Sequence, residues 1–164
     1  MSKAIHPFGQ WPSPITAELV AGSAMKLTFP LFAPDGSFTW VESRPAQGGR
    51  NAVCSLDGEI SPVSVDAKSR VHEYGGIAHT FAGSELVVRP KSGDFRLAEP
   101  CFDPARRRLI AVGERHRGEG HPENGLVSVA LEGDAVAWLV RGHDFFAAPA
   151  LSPSGDRLSF LAWS

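Results

Sequence analysis

Two cysteines, two methionines and a single tyrosine are spread over 164 residues. Cys54 and Cys101 lie far apart with no metal-type partner spacing, which excludes a disulfide framework and a cysteine-based zinc site. Both read as ordinary semi-buried thiols. No run approaches the roughly 18 apolar residues a membrane helix needs, and the opening MSKAIHPFGQWPSP has no apolar h-region of the signal-peptide kind, so a cytoplasmic address is the default expectation. Charge of one sign is also missing. A formal net charge of −2 and a pI near 6.3 give no electrostatic reason to expect a nucleic-acid or anionic-membrane partner. No cofactor is expected.

Hydrophobic residues make up 43% of the chain and charged residues 21%, enough to bury a core and too apolar for disorder. The 17 glycines and 13 prolines exceed the roughly 12% of average usage and argue against long helices. One short helix is predicted near the start, with Ser13 as cap, Pro14 at the first helical position, Ile15 to Ala21 following and Gly22 ending it. From Leu27 onward, short apolar runs are punctuated by Gly, Pro, Asp and Asn. Strands are predicted over 38–43, 51–56, 77–81, 85–88, 109–112, 126–131, 135–140 and 157–162. The fold class is therefore all-β.

An internal repeat carries the most information. The strings FPLFAPDGSFTWV (from Phe29), EPCFDPARRRLIAV (from Glu99) and APALSPSGDRLSFL (from Ala148) align without gaps through twelve positions. Each reads as an extended proline-bearing segment at a sheet edge, a tight turn and a returning strand. Pro100 and Pro149 are 49 residues apart, close to the roughly 40 to 50 residue period of four-stranded propeller blades. Pro30 and Pro100 are 70 apart, which fits a further, shortened blade opening at Tyr74-Gly75-Gly76. The expected architecture is a partial β-propeller of about three and a half blades over residues 27–164, its second blade shortened and its last unfinished, after an N-terminal extension over 1–26.

Four strings in one order, SPITAELV (from Ser13), WVESRPAQGGR (from Trp40), RVHEYGG (from Arg70) and GHDFFAAPALSPSGDRLSFLAW (from Gly142), resemble the N-terminal β-propeller of the prolyl oligopeptidase family of serine peptidases. The similarity is to its dipeptidyl aminopeptidase and acylaminoacyl-peptidase branch. The resemblance implies an α/β-hydrolase domain as partner, peptides as substrates of the intact enzyme, and a propeller that gates their access. In that family a serine sits in a GxSxG elbow. These 164 residues contain no GxSxG, so no catalytic residue is assigned and the chain by itself is expected to be inactive.

Several local patterns invite sharper readings. In RVHEYGG, Arg70, His72, Glu73 and Tyr74 are candidates for lining a propeller channel; the plainer reading is a fixed turn whose glycines allow positive φ. His116, Glu119 and His121, with Glu114 nearby, offer metal-ligand atoms within eight residues, yet ERHRGEGHPENG has the glycine and proline content of a solvated loop, and no metal site is assigned. Ser23-Ala24-Met25-Lys26 matches an S-x-x-K nucleophile pattern but lacks its S-D-N and K-T-G partners. Arg106, Arg107 and Arg108 occupy the turn of the second repeat and read as solvated. Trp40, Trp138 and Trp163 fall in strands and read as packing residues rather than ligand platforms. A second functional class stays open: a stand-alone binding or interaction module whose open blade edges pair with another chain or self-associate, or a degenerate remnant.

Overall fold

The computed structural model describes residues 5–22, 24–118 and 120–164. The only α-helix among them, α1 (Ala17–Gly22), is six residues long. Its cap is Thr16, whose hydroxyl accepts from the Leu19 N–H at 3.1 Å, whereas Ser13 binds the N–H of Ile15 at 3.1 Å and starts no helix. The expected cap is thus three residues early. No helix among the described residues is long and apolar enough to cross a membrane.

Thirteen strands follow: β1 (Leu27–Phe32), β2 (Phe38–Arg44), β3 (Arg50–Ser55), β4 (Gly58–Glu59), β5 (His79–Ala82), β6 (Glu85–Val88), β7 (Lys91–Ser92), β8 (Phe95–Asp103), β9 (Arg108–Arg115), β10 (Glu123–Ala130), β11 (Val136–Arg141), β12 (Phe145–Leu151) and β13 (Leu158–Trp163). Among the described residues they form four antiparallel sheets, in the orders β1-β2-β3-β4, β5-β6, β11-β10-β9-β8-β7 and β12-β13. The chain is nearly all β, as its turn-rich composition predicts.

Side-chain alternation stacks these sheets face to face in chain order. On β6, Leu86 and Val88 pack against Val41 and Val53 of the first sheet, while Val87 between them packs against the Leu97, Leu109 and Val127 cluster of the five-stranded sheet. The opposite face of that sheet presents Ala98, Val112 and Leu126 to Phe146 of β12 and to Leu158 and Phe160 of β13. Covered on both faces, β9 is buried from Leu109 through Glu114 and reads as a continuous apolar run rather than an alternating one.

The repeat is a structural one. β1, β8 and β12 each break register, at Thr28/Leu31, Ala98/Cys101 and Ala147/Ala150. Inside each break sits a left-handed residue followed by proline: Phe29 at φ 52°, Glu99 at φ 55° and Ala148 at φ 51°. Proline has no N–H to give the ladder, so the chain bulges there and pairing resumes beyond it. The first hairpin is one residue tighter than the others, pairing Leu31 with Thr39 where the later ones pair Cys101 with Ile110 and Ala150 with Ser159. The gapless alignment therefore shifts by one after the first turn. Two hydrogen bonds join equivalent positions of neighbouring repeats: Ala148 N–H to Glu99 Oε2 at 2.5 Å, and Arg106 Nη1 to the Gly155 carbonyl at 3.1 Å.

Candidate functional site

The turn that follows Arg70 is built on left-handed residues. His72 (φ 52°), Glu73 (φ 64°) and Gly75 (φ 78°) all have positive φ, and Gly76 does not. Two of the three are not glycines, so the motif's strain sits on side-chain-bearing residues that carry no local signal for it. Gly75 is required for a second reason: a Cβ there would stand 2.6 Å from the Ser69 carbonyl oxygen. Backbone bonds close the turn, from Glu73 N–H to the Arg70 carbonyl at 3.2 Å and from Gly75 N–H to the Val71 carbonyl at 3.0 Å.

What fixes the turn to the sheet is Glu114, near the end of β9 and only 2% exposed. Its Oε2 accepts the His72 N–H at 2.6 Å; its Oε1 accepts from Arg96 Nη1 at 2.9 Å and lies 2.6 Å from His116 Nε2. Burial pushes this carboxyl up, but the bonds from His116 and the His72 backbone, with the charges of His116 and Arg96, outweigh it and hold it below the ordinary glutamate range. The His72 ring sits edge-on to Phe145 at 5.1 Å, and Phe145 stacks on Trp163 at 5.4 Å.

A cavity of about 540 Å³ opens above this network. His72, Glu73 and Tyr74 line it together with Glu114, His116 and Asp144. Tyr74 is 92% exposed and stands free at the mouth. Among the described residues no serine, cysteine, threonine or lysine lines the cavity, and both Glu114 oxygens are engaged, so its carboxyl, histidine and tyrosine groups can hold and orient a ligand.

Three of the four residues singled out from RVHEYGG thus meet in one cavity, and His116 and His121 of the candidate metal segment join them. Arg70 does not; it lines a separate cavity beside Lys68 and Lys91. Ser23 and Glu119, members of two of the sharper patterns, lie outside the described residues. Of the stretch read as a loop, Glu114 and Arg115 belong to β9 and Glu123 to Gly125 to β10. The central residue, Glu114, was only a neighbour in that reading. Its signal was a lone acid two positions beyond Val112 on the same buried strand face.

The arginine triplet is not merely solvated. Arg106 Nη1 (3.2 Å) and Arg108 Nε (2.9 Å) both reach Asp103 Oδ2, which is fully buried, and the bonds from the two arginines hold its carboxyl low against the opposing effect of burial. Trp138 packs edge-on to Phe95 at 5.0 Å with Arg115 over its ring at 5.4 Å, a packing role. Cys54 is buried and accepts from Arg44 Nη2 at 3.2 Å.

No protein-family model matches the chain, and no curated protein is significantly similar to it. Among solved structures, it is similar to a Mycobacterium tuberculosis puromycin-hydrolyzing peptidase, with 29% identity and a TM-score of 0.75 over 98% of this chain. The chain spans 31% of the length of that peptidase.

Proposed function

We propose that these residues are the non-catalytic β-propeller portion of a prolyl oligopeptidase-type serine peptidase, about three and a half blades that gate peptide access to an α/β-hydrolase domain. The observation that carries this reading is the end-to-end likeness to about a third of a puromycin-hydrolyzing peptidase, in a chain that holds no GxSxG of its own. The stacking of sheets in chain order, each of three opening on the same proline bulge, supports a propeller arrangement. In this reading His72, Glu73 and Tyr74 belong to the surface that peptides pass, Arg70 on its separate cavity does not, and the work of Glu114 is to hold the turn that presents the three.

The test is the reading frame beyond the Ser164 codon. A GxSxG-bearing α/β segment followed by an acid and a histidine is the expected result. A stop codon directly after Ser164 would overturn the reading in favour of an independent binding module.

A further inference from the structure

On the far side of the Arg96–Glu114 pair lies a second concavity, of about 570 Å³, whose charge is opposite to that of the chain as a whole. Lys68, Arg70 and Lys91 line it, and among the described residues none of these three side chains makes a hydrogen bond or ion pair. Two further cations form its wall and are fixed in place. Arg89 donates to the carbonyls of Gly133 and Leu131, both at 2.9 Å, and Arg96 bonds only through Nη1, to Glu114 at 2.9 Å and to the Arg70 carbonyl at 3.3 Å. The one acid in the lining, Asp66, already accepts from the N–H of Asn51 at 2.9 Å and from its side-chain amide at 3.1 Å.

We infer that this cavity between the Ser64–Arg70 segment and the start of β8 is a binding site for a small polyvalent oxyanion, a phosphate- or carboxylate-bearing ligand. Five cations converge on one concavity; Glu114 offsets Arg96, Asp134 at 3.6 Å offsets Arg89 and Asp66 offsets one more, which leaves two positive charges in excess (5 − 3) in a protein of net charge −2, so the local field is not a by-product of overall charge. The lysines supply point charges and Arg70 a planar fork suited to an oxyanion. The pinned guanidiniums of Arg89 and Arg96 give a positive wall that needs no ordering when a ligand arrives. Val65 and Val88 add an apolar floor, and the volume falls in the range of small-ligand pockets, roughly 300 to 1,000 Å³. The site is independent of the peptidase reading.

The test is calorimetric titration of the 164-residue chain with pyrophosphate and, separately, with citrate, at about 50 mM and about 200 mM salt. Saturable binding that weakens with salt is expected, and the tighter of the two probes assigns the ligand to the phosphate or the carboxylate class. Lys68→Ala and Lys91→Ala each remove an exposed charge without touching the core, and together should weaken binding about tenfold or more with an unchanged circular dichroism spectrum. Arg117→Gln, an exposed charge outside this cavity, should leave binding intact. The inference is overturned if neither probe binds the wild type, if the double variant binds as well as the wild type, or if Arg117→Gln weakens binding equally.

Discussion

Glu99 accepts a hydrogen bond from the backbone N–H of Ala148 across 49 residues of sequence, and the two occupy the same position of consecutive repeats. Both are left-handed residues before a proline, so the bulge that one repeat makes to accommodate its proline is what the next repeat binds. The bulge is thus part of how the sheets are joined.

Removing the acceptor should loosen that joint. Glu99→Ala leaves the Ala148 N–H to water, because Ala148 is exposed, and the expected loss is about 1 kcal/mol in urea unfolding. An unchanged midpoint would mean that the contact contributes nothing.

Glu114→Gln should cost more. It removes the charge facing Arg96 and weakens acceptance of the short bonds from His72 and His116, in a side chain 2% exposed, and roughly 2 to 4 kcal/mol is expected. Because the folded carboxyl is held below its unfolded value of 4.5, the stability it contributes is present above pH 4.5 and is lost as pH falls through the lower folded value. The variant should show a flatter decline over that acid range. An equal slope would contradict the network.

His79 governs a different window. It is 1% exposed, and burial alone lowers its pKa from 6.5 to about 4. The unfolded chain takes up a proton there that the folded chain refuses, so stability is full above about pH 6.5 and falls by about 3 kcal/mol as pH drops toward 4. Urea melts of wild type and His79→Phe between pH 7.5 and 4.5 check this, with the wild type expected to lose more.

The residues show why some of this was legible and some was not. Alternation and turn chemistry are local, so the strands at Phe38, Glu85 and Val136 fall within one residue of their expected places, and the one at Leu126 starts three residues earlier, at Glu123. β8 and β12 were legible only as extended proline-bearing segments at a sheet edge, since whether a proline interrupts a ladder or sits in a bulge depends on the partner strand. His72 and Glu73 were legible as candidates for one surface, but their positive φ was not, because nothing in a side chain announces that a buried acid 42 residues away will bind its N–H. Arg70, two positions before His72, lines another cavity, which sequence proximity alone does not reveal.

Self-association is expected to run through β13. Leu161 is 61% and Trp163 49% exposed on a strand that, among the described residues, pairs only with β12. An uncharged apolar edge of this kind drives pairing. Size-exclusion chromatography with light scattering should show mass rising with concentration, and Leu161→Lys should suppress it; a wild type that stays monomeric throughout would remove the open-edge account.

The most direct measurement of the central claim is active-site labelling in the cells that make this protein. A serine-reactive fluorophosphonate probe, followed by detection with an antibody against residues 27–164, should mark a species roughly three times the 17.5 kDa of this chain, in keeping with its 31% share of the similar peptidase. The purified 164 residues should remain unlabelled and should not cleave aminoacyl or dipeptidyl substrates. A native species of 17.5 kDa that takes no label would contradict the account.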